Sequence, residues 1–418
     1  MLKQVVTIPI TRALSLAVAS LLTVSMSLPA QAQTNYANVG TTFLNKIQTA
    51  YLKTLANSKG SSVALYASTI DPNTGGTKST EIAQMFSEEN MIRALMWGTL
   101  VNPTTFRPPL MTSIQQLDWY QGGCQNAAGN NYGYGFSQGQ TCFFDDNSQL
   151  GGTLMDTYLK INTSSDPALS GNGPTVLAHA NTALNYDMYW ATQDAHGGVP
   201  QKPADLGEGR FYMNVMLTTS TAEADYGKRF SVPADVTYGA NYYTEVHNTA
   251  MGLLLPSGLF RGSTQFVSGA WVPASTGPLP GDQASVIRLA LSLYRSGDTS
   301  KLAAAESLMD LTYANWVAAS GATNANAVNG GFAIVDALCE VYLADKTHNA
   351  QYLADAKSII DYILANSKDT AGWFPNGTTS TGDWDYVRTG SAPDDSTTLL
   401  TQSAAAAAIM EFAWTRQQ

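Results

Sequence analysis

Residues 286–294 (VIRLALSLY) and 403–413 (SAAAAAIMEFA) carry apolar or small side chains on more than one helical face. A helix with no polar side to give to water has to be enclosed by other elements, so this chain must build a double layer of helices. Apolar residues recur at helical spacing elsewhere too. Leu44, Ile47, Tyr51 and Leu55 share a face, as do Leu150, Leu154, Tyr158 and Ile161, and Leu353, Ala356, Ile360 and Ile363. Strand-like alternation is scarce. Further helices are predicted near 80–100, 173–193, 211–224, 239–254, 282–296, 300–318, 328–345 and 397–415, divided by loops of Gly, Asn, Thr, Pro and Ser. The total is about eleven or twelve helices. Helix, long glycine- and aromatic-bearing loop, then helix is the order of a closed ring of helical hairpins, whose longer loops at one end would wall a cleft.

The first residues read as an address. Lys3 and Arg12 precede or open an apolar run over 13–28, which ends in Ala30-Gln31-Ala32. That is the pattern of a cleavable secretory signal over 1–32, with cleavage expected after Ala32. Ser15, Ser20, Thr23, Ser25 and Ser27 make the run a poor membrane anchor. Residues 33–418 are expected to be one catalytic domain, secreted or periplasmic, monomeric and without a membrane span. The net charge of -10 disfavours nucleic acid as a partner and fits a neutral or weakly charged substrate. In an oxidising compartment Cys124 and Cys142, bracketing a loop of polar residues and glycines, are expected to form a disulfide. Cys339 sits in an apolar helical stretch and is expected to be a packing residue.

His179, His196, His247 and His348 are scattered, without a His-x-x-x-His or Cys-x-x-Cys pair, so neither a metal nor another cofactor is expected. No Gly-x-Ser-x-Gly elbow and no phosphate-cradling glycine loop is present. Carboxylates are the better candidates, and Asp145 and Asp146 stand at a predicted helix start directly after Phe143 and Phe144. Capping the helix would account for such a pair. Catalysis would also suit it. Neighbouring α-carbons lie about 3.8 Å apart, so adjacent side chains can bring their carboxyls to the roughly 5–5.5 Å used by retaining glycosidases. Two carboxyls that close split their titrations, leaving one ionised and one protonated. Asp394 and Asp395 are read as a helix cap, and Asp187 and Asp194 as surface charges. Trp119, Tyr120, Tyr132, Tyr134, Trp271, Trp373, Phe374, Trp384 and Tyr386 fall in predicted loops, where rings can stack on sugar faces.

Three segments give the chain a resemblance to glycoside hydrolase family 76, the α-1,6-mannanases and their relatives. They are CFFDDNSQLGGTLMDTYLKI, GDQASVIRLALSLYRSGDTSKLAAAESL and NGGFAIVDALCEVYLADKTHNAQYLADAKSII. The resemblance implies an all-α, (α/α)6-barrel fold and a retaining mechanism in which Asp145 is the nucleophile and Asp146 the general acid/base. It implies substrate contacts by Asn147, Asp282 and Gln283, joined by Trp119, Trp271 and Trp373 from the loops. The chain departs from the family pattern in three places. Ser148 and Gln149 follow the pair where the family has Ala and Trp. Gly281-Asp282-Gln283-Ala284 replaces Tyr-Asn-Gln-Gly, and Pro200 and Gln201 replace aromatic residues after the HGG loop. The implied substrate is therefore an α-linked polysaccharide, α-1,6-mannan or a related α-glycan or exopolysaccharide. Transglycosylation and non-catalytic polysaccharide binding are the competing readings.

Overall fold

The computed structural model describes residues 35–56, 62–71, 82–121, 133–135, 142–162, 170–191, 209–274, 277–318, 331–366, 371–374 and 397–418. Within them the helices are α1 (Tyr36–Tyr51), α2 (Met85–Val101), α3 (Pro103–Gln116), α4 (Phe144–Asn162), α5 (Gly173–Ala191) and α6 (Met213–Phe230), followed by α7 (Pro233–Val246), α8 (Pro280–Arg295), α9 (Ser300–Trp316), α10 (Gly331–Ala344), α11 (Ala350–Asn366) and α12 (Leu399–Thr415). The even-numbered helices form an inner ring: α2 packs on α4, α4 on α6, α6 on α8, α8 on α10, α10 on α12, and α12 returns to α2. The odd-numbered helices lie outside it, with α3, α5, α7, α9 and α11 each against its preceding inner helix and α1 against α12. This is an (α/α)6 barrel. The helices that are apolar all round, α8 and α12, belong to the inner ring, and α12 is buried along nearly its whole length.

Closure of the ring is tied by a short antiparallel pair, β3 (Thr69–Ile70) with β7 (Thr397–Thr398), and by Leu399 N–H donating to the Ser68 carbonyl at 2.9 Å. Thr398 caps α12 through its hydroxyl, which accepts the Thr401 N–H. A hairpin, β1 (Leu52–Ala56) with β2 (Ser62–Tyr66), follows α1, and a three-stranded sheet joins β4 (Arg210–Tyr212), β5 (Ser263–Val267) and β6 (Ala270–Pro273).

Two local outcomes differ from the sequence reading. Leu55 does not continue the face of Leu44, Ile47 and Tyr51, because α1 ends at Tyr51 and the chain turns into β1. Helix α3 has no counterpart among the predicted helices, and it contains Pro108 and Pro109 beyond Pro103 at its first turn. Proline removes the bonds that Thr104 and Thr105 carbonyls would accept, but those two residues are exposed and water can satisfy them. Phe106, Leu110 and Ile114, spaced four apart and buried, hold the helix against the core.

The interior of the ring, away from the start of α4, holds a layer of charge. Arg93 meets Asp336 at 2.5 Å and Arg288 reaches the same carboxylate at 3.8 Å. Arg295 bridges Asp225 at 3.3 Å and Glu340 at 3.4 Å, while Lys160 bridges Asp156 at 3.0 Å and Glu340 at 4.0 Å. These four cations balance these four anions. Glu411 is the extra acid, and burial, then the neighbouring Asp336, drive its carboxyl well above the usual range.

The chain divides into Met1–Asn35 and Tyr36–Gln418, and all of the helices named above lie in the second unit. Among the described residues no helix is long and apolar enough to cross a membrane.

Candidate active site

The inner helices run in one direction, so their N-termini gather at one end of the barrel, where α4 opens with Asp145 and Asp146. Phe144 is fully buried beside Tyr186 of α5, which fixes where the helix begins. Asp145 is half-buried and its Oδ1 accepts the backbone N–H of Asp146 at 3.0 Å. Ser148 donates its hydroxyl to the Asp145 carbonyl at 2.9 Å. The capping role foreseen for the pair is thus present, and one carboxylate carries it. Asp146 is only 6% exposed, and its Oδ2 has no hydrogen-bond partner within the protein. Burial, then the Asp145 carboxylate, then Glu89, push the Asp146 carboxyl well above its ordinary range. A protonated carboxyl beside a second carboxyl is the division that acid-assisted nucleophilic displacement requires.

Two more acids stand near the pair, and sequence reading missed both. Glu89, buried near the start of α2, accepts the hydroxyl of Thr153 from α4 and the side-chain amide of Asn90 at 2.8 Å. Asp187 is fully buried on α5, which corrects its reading as a surface charge. Its Oδ2 accepts the Thr219 hydroxyl at 3.4 Å, and its Oδ1 has no hydrogen-bond partner. Burial, then Asp145, then Glu223 and Asp146, raise its carboxyl well above the usual range. The signal was available: Asp187 follows Ala180 by seven residues and Ala183 by four, on the buried face of α5.

A short loop is fastened across the start of α4. Tyr134 N–H donates to Asn147 Oδ1 at 2.7 Å, and Asn147 Nδ2 donates to the carbonyls of Tyr134 and Phe143, each at 2.9 Å. The Tyr134 hydroxyl meets His179 Nδ1 at 2.7 Å. A side chain at Gly133 would come within 2.7 Å of the Tyr186 ring, so only glycine lets the loop lie this close. Cys142, just before the pair, is disulfide-bonded, and Cys339 is buried and free. Cys124, Tyr132, Asp194, His196, Trp384, Tyr386, Asp394 and Asp395 lie outside the described residues.

The other expected contacts are placed as follows. Asn147 is fully buried and committed to the loop backbone. Gln283 is fully buried on α8, giving its amide to the carbonyls of Phe260 and Leu279 and accepting the Phe260 N–H. Asp282 is buried at the same helix start, 2.9 Å from where a side chain on Gly262 would stand. Both amides therefore act on backbone, and any effect on substrate passes through the loops they hold. Trp373 is 2% exposed, packed on Phe43 and Tyr51 with the Lys46 ammonium 3.7 Å from its ring centre, so it is a core residue. Trp271 is half-buried in β6 between Phe211 and Phe266, on the sheet that leads into α6. Trp119 is half-buried against Tyr120, whose carbonyl accepts Gly135 N–H from the fastened loop. Trp119 and Trp271 thus lie at the barrel end that carries Asp145. Among the described residues no three His, Cys, Asp or Glu side chains are grouped so as to hold a metal ion.

No protein-family model matches the sequence, and no curated protein matches it. Solved structures do. A family 76 α-mannanase from Bacteroides thetaiotaomicron superposes with a TM-score of 0.71 at 17% identity, over 92% of this chain and 97% of that one. The fold is that of the family 76 glycoside hydrolases. An inactive variant of a family 76 α-1,6-mannanase from Salegentibacter sp. HEL1_6, with two consecutive aspartates replaced by asparagine and in complex with α-1,6-mannotriose, gives 0.63 at 13% identity, over 91% of this chain and 99% of that one. A D-mannose isomerase gives 0.58 at 15% identity, over 92% and 99%. The family 76 barrel is therefore shared with an isomerase, and the reaction has to be argued from the site.

Proposed function

We propose that this protein is a secreted retaining glycoside hydrolase acting on an α-linked polysaccharide, with α-1,6-mannan the leading substrate and a related α-glycan or exopolysaccharide next. Residues 1–32 are its secretory signal and 33–418 its catalytic domain. The observation that carries the reading is the contrast within the pair: Asp146 is buried with its Oδ2 unbonded and its carboxyl raised well above the ordinary range by burial, Asp145 and Glu89, while Asp145 stands half-open at the helix start. The inactive α-1,6-mannanase with paired aspartate replacements supports the assignment by analogy.

In the first step Asp145 attacks the anomeric carbon, the bond from that carbon to the glycosidic oxygen breaks, and Asp146 gives its proton to the leaving oxygen. In the second, the Asp146 carboxylate takes a proton from water as the water oxygen attacks the same carbon and releases Asp145. A sugar hydroxyl in place of water makes the outcome transglycosylation. Trp119 and Trp271 offer ring faces to the sugar.

The test is turnover of purified protein on α-mannans, dextrans and exopolysaccharides, with product sizing, for the native chain and for Asp145→Asn and Asp146→Asn. Each variant should lose several orders of magnitude while staying folded. A substrate with an activated leaving group should restore much of the first step to Asp146→Asn and none to Asp145→Asn. Folded variants that keep full turnover would reduce the pair to a helix cap.

A further inference from the structure

Glu89 is the third carboxylate at the site. It rises from the second turn of α2, is 3% exposed, and uses both oxygens as acceptors: Oε1 for the Thr153 hydroxyl and Oε2 for the Asn90 amide at 2.8 Å. The Asn90 amide can only donate and the Thr153 hydroxyl is able to, so the two bonds can satisfy both oxygens of the ionised carboxylate. Four residues along α2 stands Arg93, whose guanidinium is held charged against burial by Asp336, Glu411 and Glu89. Thr153 lies two helical turns beyond Asp146 on the same face of α4. One side chain therefore bonds the inner helix that carries the pair and interacts with Arg93 of the charge layer.

We propose that Glu89 is a positioning residue for the general acid: bonded to Thr153 and Asn90, it fixes a negative charge beneath Asp146 and keeps the proton on that carboxyl until a leaving oxygen takes it. The inference rests on the reading of Asp146 as proton donor. Among the described residues, the charges that face Asp146 are Asp145 from α4 itself, Glu89 from α2 and Asp187 from α5, with Glu223 of α6 beyond Asp187. All are acids. Burial and these same neighbours raise the Asp187 carboxyl well above its ordinary range, and Asp145 and Glu89 are the charges that act on Asp146.

The sign of the effect follows. A general acid works while protonated, so its titration sets the high-pH limb of kcat/KM. Glu89→Gln removes a nearby negative charge, lowers the Asp146 titration and moves that limb to lower pH. A displacement of about one pH unit corresponds to roughly a ten-fold loss above the limb, with little change below it. Glu89→Asp keeps the charge and should restore the native limb even where its rate is reduced. A substrate with an activated leaving group should be insensitive to the change in the first step.

The experiment pairs these profiles with infrared titration of the protonated-carboxyl band in the native protein, Asp146→Asn, Glu89→Gln and Glu89→Asp. The band assigned by its loss in Asp146→Asn should titrate at lower pH in Glu89→Gln and near its native position in Glu89→Asp. A band and limb that do not move, or that move equally in both Glu89 variants, would overturn the proposal and leave Glu89 a structural bond between helices. The infrared readout needs no turnover. A chain inactive on every glycan would defeat the hydrolase reading while the titration still decides what Glu89 does to Asp146.

Discussion

Asn147 and Tyr134 are joined by two hydrogen bonds in opposite directions, Tyr134 N–H to Asn147 Oδ1 at 2.7 Å and Asn147 Nδ2 to the Tyr134 carbonyl at 2.9 Å. The same reciprocal bond joins Gln283 to Phe260 and Gln402 to Phe374. Each amide stands in the first turns of an inner helix, α4, α8 or α12, and each holds an aromatic residue of a preceding loop at the catalytic end. A ring of helices leaves its loops to be fastened individually, and a buried amide satisfies both backbone groups of one loop residue at once.

Replacing any of the three by alanine leaves a buried N–H and carbonyl without partners. Asn147→Ala, Gln283→Ala and Gln402→Ala should each lower the unfolding free energy by about 2–4 kcal/mol. Asn147→Asp, which keeps the acceptor and loses both donated bonds, should also destabilise. Urea unfolding followed by circular dichroism measures this, and losses below about 1 kcal/mol would contradict the bonding described.

Glu88 gives a pH dependence of stability. It is 1% exposed, and burial raises its carboxyl from the ordinary 4.5 to about 8. Between those values the folded chain holds a proton that the unfolded chain releases, so stability falls as pH rises through the window, by up to roughly 1.4 kcal/mol per pH unit. Glu88→Gln removes this slope. Its stability relative to the native protein should therefore improve steadily from pH 5 to pH 8 and level off above, as read from unfolding midpoints across that range.

The charge layer predicts an asymmetry. Lys160→Met leaves Asp156 and Glu340 facing each other's side of the lumen without their shared cation and should cost about 3–5 kcal/mol. Adding Asp156→Asn should recover part of that loss, because it removes one stranded charge. Asp156 and Asp336 are held below the ordinary carboxylate range of 3.8, each by cations that outweigh its burial. Their contribution is complete above about pH 4 and disappears as pH falls through their lowered titrations. Denaturant titrations at neutral and acid pH check both statements.

The disulfide at Cys142 braces the segment that leads directly into Asp145. Reduction, or Cys142→Ser, should lower stability by about 3 kcal/mol by the loop-closure argument, with a fall in the melting temperature. Peptide mapping should find Cys142 joined to Cys124 and Cys339 as a free thiol. A melting temperature indifferent to reductant would show that the bond does not constrain this segment.

By itself the sequence determined the periodic helices and the need to enclose the two that are apolar all round, because both follow from where apolar side chains recur along one chain. It also marked Asp145 and Asp146, a pair of like charges behind two aromatic residues at a helix start. Only the tertiary structure decided the rest. Helix α3 was hidden because Pro108 and Pro109 argue against a helix locally, and the burial of Phe106, Leu110 and Ile114 overrides them. Trp373 reads as a loop aromatic until Phe43 and Tyr51 from α1 enclose it. Glu89 and Asp187 take their places beside the pair only because α2 and α5 pack on α4. Whether Asp146 keeps a proton depends on burial and on charges brought by other helices, and those are distances across the fold that no spacing along the chain records.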